Sequence, residues 1–249
     1  MLIVERIVFA TIVILLLSAC SQRTMVNWLE QRNPDVLFSV ETEERVVALT
    51  IDDGPHAVVT PLILDVLKKY DAHATFFVMG KRVPGNEHLL QRMVDEDHEI
   101  GNHMMTGTPS IWLSEEDFEQ QLLQTHQLVS DFADPVWMRP AFGFFNDRML
   151  KQLEEAGYRC ALGSVYPFDP QMPFVGYLSN YVLRHSYPGD VIILHDGKPG
   201  RARTAKVLER VLSVFAEWGY RVVTLSELME IQGAELRRQG EGLHIPITP

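Results

Sequence analysis

The chain has 249 residues, enough for one large α/β domain with a well-buried core. Its 33 acidic side chains outnumber 22 basic ones, and the net charge of −11 at pH 7 argues against a nucleic-acid backbone as the natural partner. An apolar fraction of 46% is ordinary for a globular protein, and no stretch beyond the N-terminus is biased enough to read as disordered.

In chain order, the first element is an apolar run from Ile7 to Leu17, closed by Ser18 and Ala19 before Cys20. It is too short to span a bilayer comfortably but suits the apolar region of a secretory signal. Leu17-Ser18-Ala19-Cys20 resembles a bacterial lipobox, in which the cysteine is acylated and becomes the mature N-terminus. An uncleaved hydrophobic anchor is the alternative. Either reading exports the domain and holds it at the membrane of the cell envelope, in the first case as a lipoprotein anchored at Cys20. With Cys20 lipidated, Cys160 has no disulfide partner, and its apolar setting in Tyr158–Leu162 marks it as a small buried hydrophobe.

Residues 21–44 are polar and without periodicity and read as a tether or loose N-terminal extension. From 45 to 230, short apolar runs alternate with amphipathic stretches. Strands are expected at Arg45–Ile51, Ala74–Met79, Glu99–His103, Val136–Arg139, Arg159–Gly163, Asp190–Leu194 and Arg221–Leu225. Helices are expected near 60–70, 86–96, 114–131, 146–156, 173–186 and 203–219, the third opened by Ser114 with Asp117 three residues on. The tail from 231 to 249 has no usable pattern. Seven strands alternating with six helices make a parallel β/α fold, either a barrel or an open sheet.

Such folds carry their chemistry at the C-terminal ends of the strands. Asp52 and Asp53 follow the first strand, His103 closes the third, Arg139 closes the fourth, and His195 with Asp196 follows the sixth. Two adjacent carboxylates repel each other unless a cation sits beside them. A divalent metal on one and an arginine on the other would give each a distinct role. His56, His73 and His98 have no such placement and read as structural.

The stretch LTIDDGPHAVVTPLILDVLKKYDAHATFFVMG, followed by DHEIGNH, by Arg139-Pro140-Ala141-Phe142-Gly143, by LGSVYPFDP, by VIILHDG and by RVVTLSEL, resembles the polysaccharide deacetylase (NodB-homology) family, carbohydrate esterase family 4. All five motif regions occur in family order across roughly residues 45–230. The resemblance implies a deformed (β/α) barrel of about seven parallel strands and a bound divalent metal (Zn, Co or Ni). It implies hydrolysis of N-acetyl groups on an amino-sugar polymer or oligomer such as peptidoglycan or chitin. By the same resemblance Asp52 is the general base, Asp53 and His103 are metal ligands, and Arg139 holds Asp52 ionised. The N–H of Phe142 faces the developing oxyanion, His195 protonates the leaving amine with Asp169 orienting it, and Leu194 lines the pocket for the acetyl methyl. An amide needs this division of labour, because it is a poor electrophile with a poor leaving group.

The second motif departs from the family pattern of His, Ser or Thr, two residues, then His. Met104 stands at the hydroxyl position and Gly107 at the second histidine. The expectation is a weakened metal site, completed by Thr106 or Thr108, by water or by a side chain of another loop. The alternative is a catalytically impaired homologue that binds carbohydrate at the cell envelope.

Overall fold

The computed structural model describes residues 19–241, with side chains from 23 to 236. The signal-like run at residues 7–17 and the end of the tail at 242–249 lie outside the described residues. Eight strands form: β1 (Val36–Leu37), β2 (Val46–Asp52), β3 (Thr75–Val78), β4 (Glu99–Asn102), β5 (Trp137–Met138), β6 (Arg159–Ala161), β7 (Val191–His195) and β8 (Arg221–Val223). They alternate with α1 (Ala19–Arg32), α2 (Val59–Lys69), α3 (Glu87–Asp95), α4 (Glu115–Val129), α5 (Asp147–Glu155), α6 (Val175–His185), α7 (Arg203–Glu217) and α8 (Leu225–Glu241). The seven expected strands are β2 to β8. The six expected helices are α2 to α7, and Ser114 caps α4 by accepting the Asp117 N–H at 3.1 Å.

Every ladder is parallel, in the order β1-β6-β5-β4-β3-β2-β7, with β8 also paired to β2. Isolated bridges Val165–Ile192 and Ser39–Asp190 draw the two ends of the sheet together, which makes the sheet a deformed barrel. Side chains alternate across it with the period of two that a strand imposes. On β2, Val47, Leu49 and Ile51 pack outward against α2 and α7 residues such as Ile63, Leu64, Val207 and Val211. Val46 and Ala48 point inward with Phe77, Trp137, Ala161 and Val191, which fill the barrel. This filling leaves the polar inward positions, Thr50 and Asp52, at the C-terminal mouth.

Two regions differ from expectation. Residues 21–44 are not a loose tether: they carry α1 and β1, and β1 extends the sheet by pairing Val36 with Cys160. Val26, Val36, Phe38 and Val40 are buried there, and Arg23 forms an ion pair with the buried Asp190. A two-residue strand and a helix with few apolar positions carry too little periodicity to be read from sequence; the docking is tertiary. The segment from 231 likewise continues α8 as far as Glu241, anchored upstream by buried Leu225 and Leu228. Gly233 in mid-helix weakens the local helix signal there.

Candidate active site

The inward register that fills the barrel also builds the site. Asp52 of β2 lies opposite His195 of β7 in the ladder, so a carboxylate and an imidazole stand side by side on one face. His103 directly follows β4 and Arg139 directly follows β5, both with the inward parity of their strands.

Arg139 is buried and fully engaged. Nη1 donates to Asp52 Oδ1 and to Thr50 Oγ1, each at 2.6 Å, Nη2 donates to Leu162 O at 2.6 Å, and Nε donates to Ala161 O at 3.1 Å. Its guanidinium lies 4.2 Å from the Phe77 ring centroid. Gly101 makes room for that ring, since a Cβ there would stand 2.7 Å from Phe77 carbons. The same arginine fixes His103, whose Nδ1 donates to the Arg139 carbonyl at 2.8 Å. A carbonyl can only accept, so the proton of a neutral ring is on Nδ1 and the Nε2 lone pair is exposed to Asp53 Oδ1, 3.7 Å away.

Two electron-pair donors facing each other at that separation suit a shared cation, and a nitrogen–oxygen pair suits zinc, cobalt or nickel. The donor set contributed by side chains stops at two. Among the described residues no group of three His, Cys, Asp or Glu side chains is placed so that it could hold a metal ion. Thr106 does not fill the gap in this conformation: its hydroxyl is engaged with Gln121 Oε1 on α4 and with Thr108 Oγ1, both at 3.1 Å. Gly107 is exposed and open, a Cβ there meeting only Met79 Cε at 3.4 Å.

Asp53 adopts φ 77°, a costly conformation for a non-glycine residue, held by two interlocked strand ends. A Cβ on Gly197 would overlap Asp53, and one on Gly54 would reach within 2.5 Å of Asp196 Oδ1, so both turns require glycine. Asp196 is fully buried, and Thr60 donates to its Oδ2. Burial, opposed by the Thr60 hydrogen bond and assisted by the charge of Asp53, pushes its carboxyl up to about 7.

On the far side His195 Nδ1 donates to Asp169 Oδ1 at 2.9 Å. Arg201 Nη1 donates to Asp169 Oδ2 at 3.2 Å, and Arg203 Nη2 to the Asp169 carbonyl at 2.6 Å. Burial by itself would lower the His195 pKa. The Asp169 hydrogen bond and charge, with Asp52 and Asp53 beyond, outweigh it and leave the imidazolium favoured.

Asp52, Asp53, His103, Arg139, Asp169 and His195 thus meet at one end of the barrel. Phe142 stands on the 3-10 turn just past Arg139 with φ 67°. Leu194 is a correction. It is 1% exposed and packs in the outer cluster with helix residues, because it lies one position from the inward-facing His195. Ile193 has the inward parity instead. Thr50 was legible by the same parity, two residues before Asp52. Arg201 and Arg203 arrive from beyond β7, and no local pattern announces them. Cys160 is a buried hydrophobe as expected, its thiol pushed up to about 12 by burial.

A half-barrel of parallel strands with carboxylates, imidazoles and a buried arginine gathered at its C-terminal mouth defines a class, and comparison with known proteins places the chain within it. The polysaccharide deacetylase family model matches residues 39–161. The chain is 38% identical over 197 residues to the peptidoglycan-N-acetylglucosamine deacetylase of Bacillus cereus, an overlap covering 78% of this chain and 92% of that one. It belongs to the polysaccharide deacetylase family. It is also 32% identical over 194 residues to the chitooligosaccharide deacetylase of Sinorhizobium fredii, covering 73% of this chain and 90% of that one. Among solved structures, a family 4 acetyl xylan esterase from Clostridium thermocellum in complex with cobalt superposes with a TM-score of 0.71 at 29% identity. That match covers 76% of this chain and 92% of the esterase.

The Asp169–His195 pair makes a prediction with a definite sign. A histidine whose folded pKa is raised contributes stability that is present below the free-imidazole value near 6.5 and lost as pH rises through the folded value. An NMR titration of His195 should have its midpoint above that of free imidazole, and Asp169→Asn should move it down. A midpoint unaffected by Asp169→Asn would contradict the pairing.

Proposed function

We propose that this chain is a metal-dependent hydrolase that removes N-acetyl groups from an amino-sugar polymer or oligomer. The observation that carries this reading is the pairing of Asp52 with His195 across one ladder, each held by its own partner beside the Asp53–His103 pair. Family membership, and relatives that act on peptidoglycan N-acetylglucosamine and on chitooligosaccharides, support the substrate class.

Arg139 donates to Asp52 Oδ1, which leaves the other oxygen to take a proton from a water. That water adds to the acetamide carbonyl carbon. The Phe142 N–H, on its exposed turn, donates to the oxygen that gains charge. His195, its Nδ1 proton committed to Asp169, delivers the Nε2 proton to the departing nitrogen, so acetate and a free amine result. A divalent cation, when held by Asp53 and His103, supplies Lewis acidity at that carbonyl.

Purified protein supplied with Zn²⁺, Co²⁺ or Ni²⁺ is expected to release acetate from N-acetylglucosamine oligomers or peptidoglycan. Asp52→Asn should cut turnover by about 10²–10⁴-fold while leaving metal binding intact. Absence of acetate with every metal and substrate, an acetylated xylan included, would end the hydrolase reading.

Two side-chain donors hold a cation less tightly than three. Calorimetry with Zn²⁺ should therefore show Gly107→His tightening binding, by roughly 100-fold, the open space at Gly107 accommodating the new ring. Equal affinity in the two proteins would mean that a third donor is already in place.

The chain is also proposed to be exported and lipid-anchored, on the support of the apolar run ending in Leu17-Ser18-Ala19-Cys20. Among the described residues no helix is long and apolar enough to cross a membrane. Cell fractionation should find the protein with membranes and Cys20→Ser in the soluble fraction. An unchanged distribution would point to the uncleaved anchor instead.

A further inference from the structure

Four large apolar side chains stand exposed on two turns at the mouth of the barrel. Ile111 and Trp112, the latter 77% exposed, belong to the 3-10 turn Ser110–Trp112 that follows His103. Phe142 and Phe144, 70% and 60% exposed, flank Gly143 in the turn that follows Arg139. The turns are fastened together: the buried Ser110 Oγ accepts the Ala141 N–H at 2.9 Å. Phe142 at φ 67° and Gly143 at φ 73° form two consecutive left-handed residues. Strained backbone that presents an aromatic side chain to water is not what core packing produces; it is typical of a ligand-contacting segment.

The surroundings narrow the ligand. Glu115, Glu116 and Asp117 begin α4 after Leu113 and Ser114, all exposed, on a chain already at −11. Anionic lipid headgroups and nucleic acids are repelled there. A neutral glycan is not, and the amine left by deacetylation is attracted. A pyranose ring of a β-linked amino-sugar chain presents a face of polarised C–H bonds, which complements the electron-rich face of an aromatic ring. The two turns lie on the loops that follow His103 and Arg139, and so at the same end of the barrel as the candidate active site.

We infer that Trp112 and Phe144, with Ile111 and Phe142 beside them, form a stacking platform for sugar rings flanking the one that is deacetylated. The protein then reads an extended, neutral or partly deacetylated amino-sugar chain and not an isolated sugar. This rests on the proposed amino-sugar substrate, but it concerns binding and is tested apart from turnover.

The test is calorimetry of the Asp52→Asn protein in chelator, titrated with an N-acetylglucosamine hexamer and with the dimer. Adding Trp112→Ala and Phe144→Ala should weaken the hexamer by about tenfold and the dimer by less than about twofold. Both positions are surface ones, so the urea midpoint should not move. Hexamer affinity that is undetectable in the parent, or equal in parent and variant, overturns the platform. So does the loss, in the variant alone, of pelleting with phosphatidylglycerol vesicles or of concentration-dependent self-association while hexamer binding is retained. Hexamer binding that depends on Trp112, in a protein whose Asp52 form releases no acetate, upholds the platform and overturns only the hydrolase.

Discussion

The buried pair between Arg139 and Asp52 is the interaction on which the barrel mouth depends. Two charges removed from water are costly, and the cost is offset only when every donor and lone pair is engaged. Here the guanidinium meets the carboxylate, a threonine hydroxyl and two backbone carbonyls, and it stacks on Phe77. Each bond joins a different part of the sheet: β2 through Thr50 and Asp52, the end of β6 through Ala161 and Leu162, β3 through Phe77. Removing one partner would strand the other charge, a loss on the order of 3–5 kcal/mol. The ion pair is therefore the clasp that holds the barrel's C-terminal mouth together.

From that clasp the remaining geometry follows by short links. The carbonyl of Arg139 orients His103, which presents its free nitrogen to Asp53. Asp53 keeps its unfavourable φ because Gly197 lies against it, and Gly197 follows the His195 that Asp169 holds. Asp52, Asp53, His103 and His195 are thus mechanically coupled through backbone as well as charge. The Asp196 carboxyl beneath Gly54, its pKa pushed up to about 7, adds little negative charge below that pH to a mouth already holding Asp52 and Asp53.

Asp53 and His103 face each other across 3.7 Å, and among the described residues no third His, Cys, Asp or Glu is placed with them to hold a metal ion. The thiol of Cys160, buried on β6, is not positioned to compensate, and the hydroxyl of Thr106 is turned to α4. On the turns that follow His103 and Arg139, Ile111, Trp112, Phe142 and Phe144 are exposed. Loops, not the barrel, usually set what one such scaffold serves.

The sequence by itself determined β2 to β8, α2 to α7 and the sheet edge at which Asp52, His103, Arg139 and His195 gather. Hydrophobic alternation is a local property, and parity along β2, β5 and β7 places Asp52, Arg139 and His195 on the inner face once the strands are drawn. The same rule, applied strictly, would have excluded Leu194 and favoured Ile193. Tertiary structure alone decided what no local period encodes. It docked α1 and β1 against β6 through isolated apolar residues and the Arg23–Asp190 pair. It brought Arg201 and Arg203 from beyond β7 onto Asp169, and it joined the turn at Ser110 to the turn at Ala141 through a single serine hydroxyl. These contacts join segments distant in the chain, and their energy comes from burial and hydrogen bonding realised only when the barrel closes.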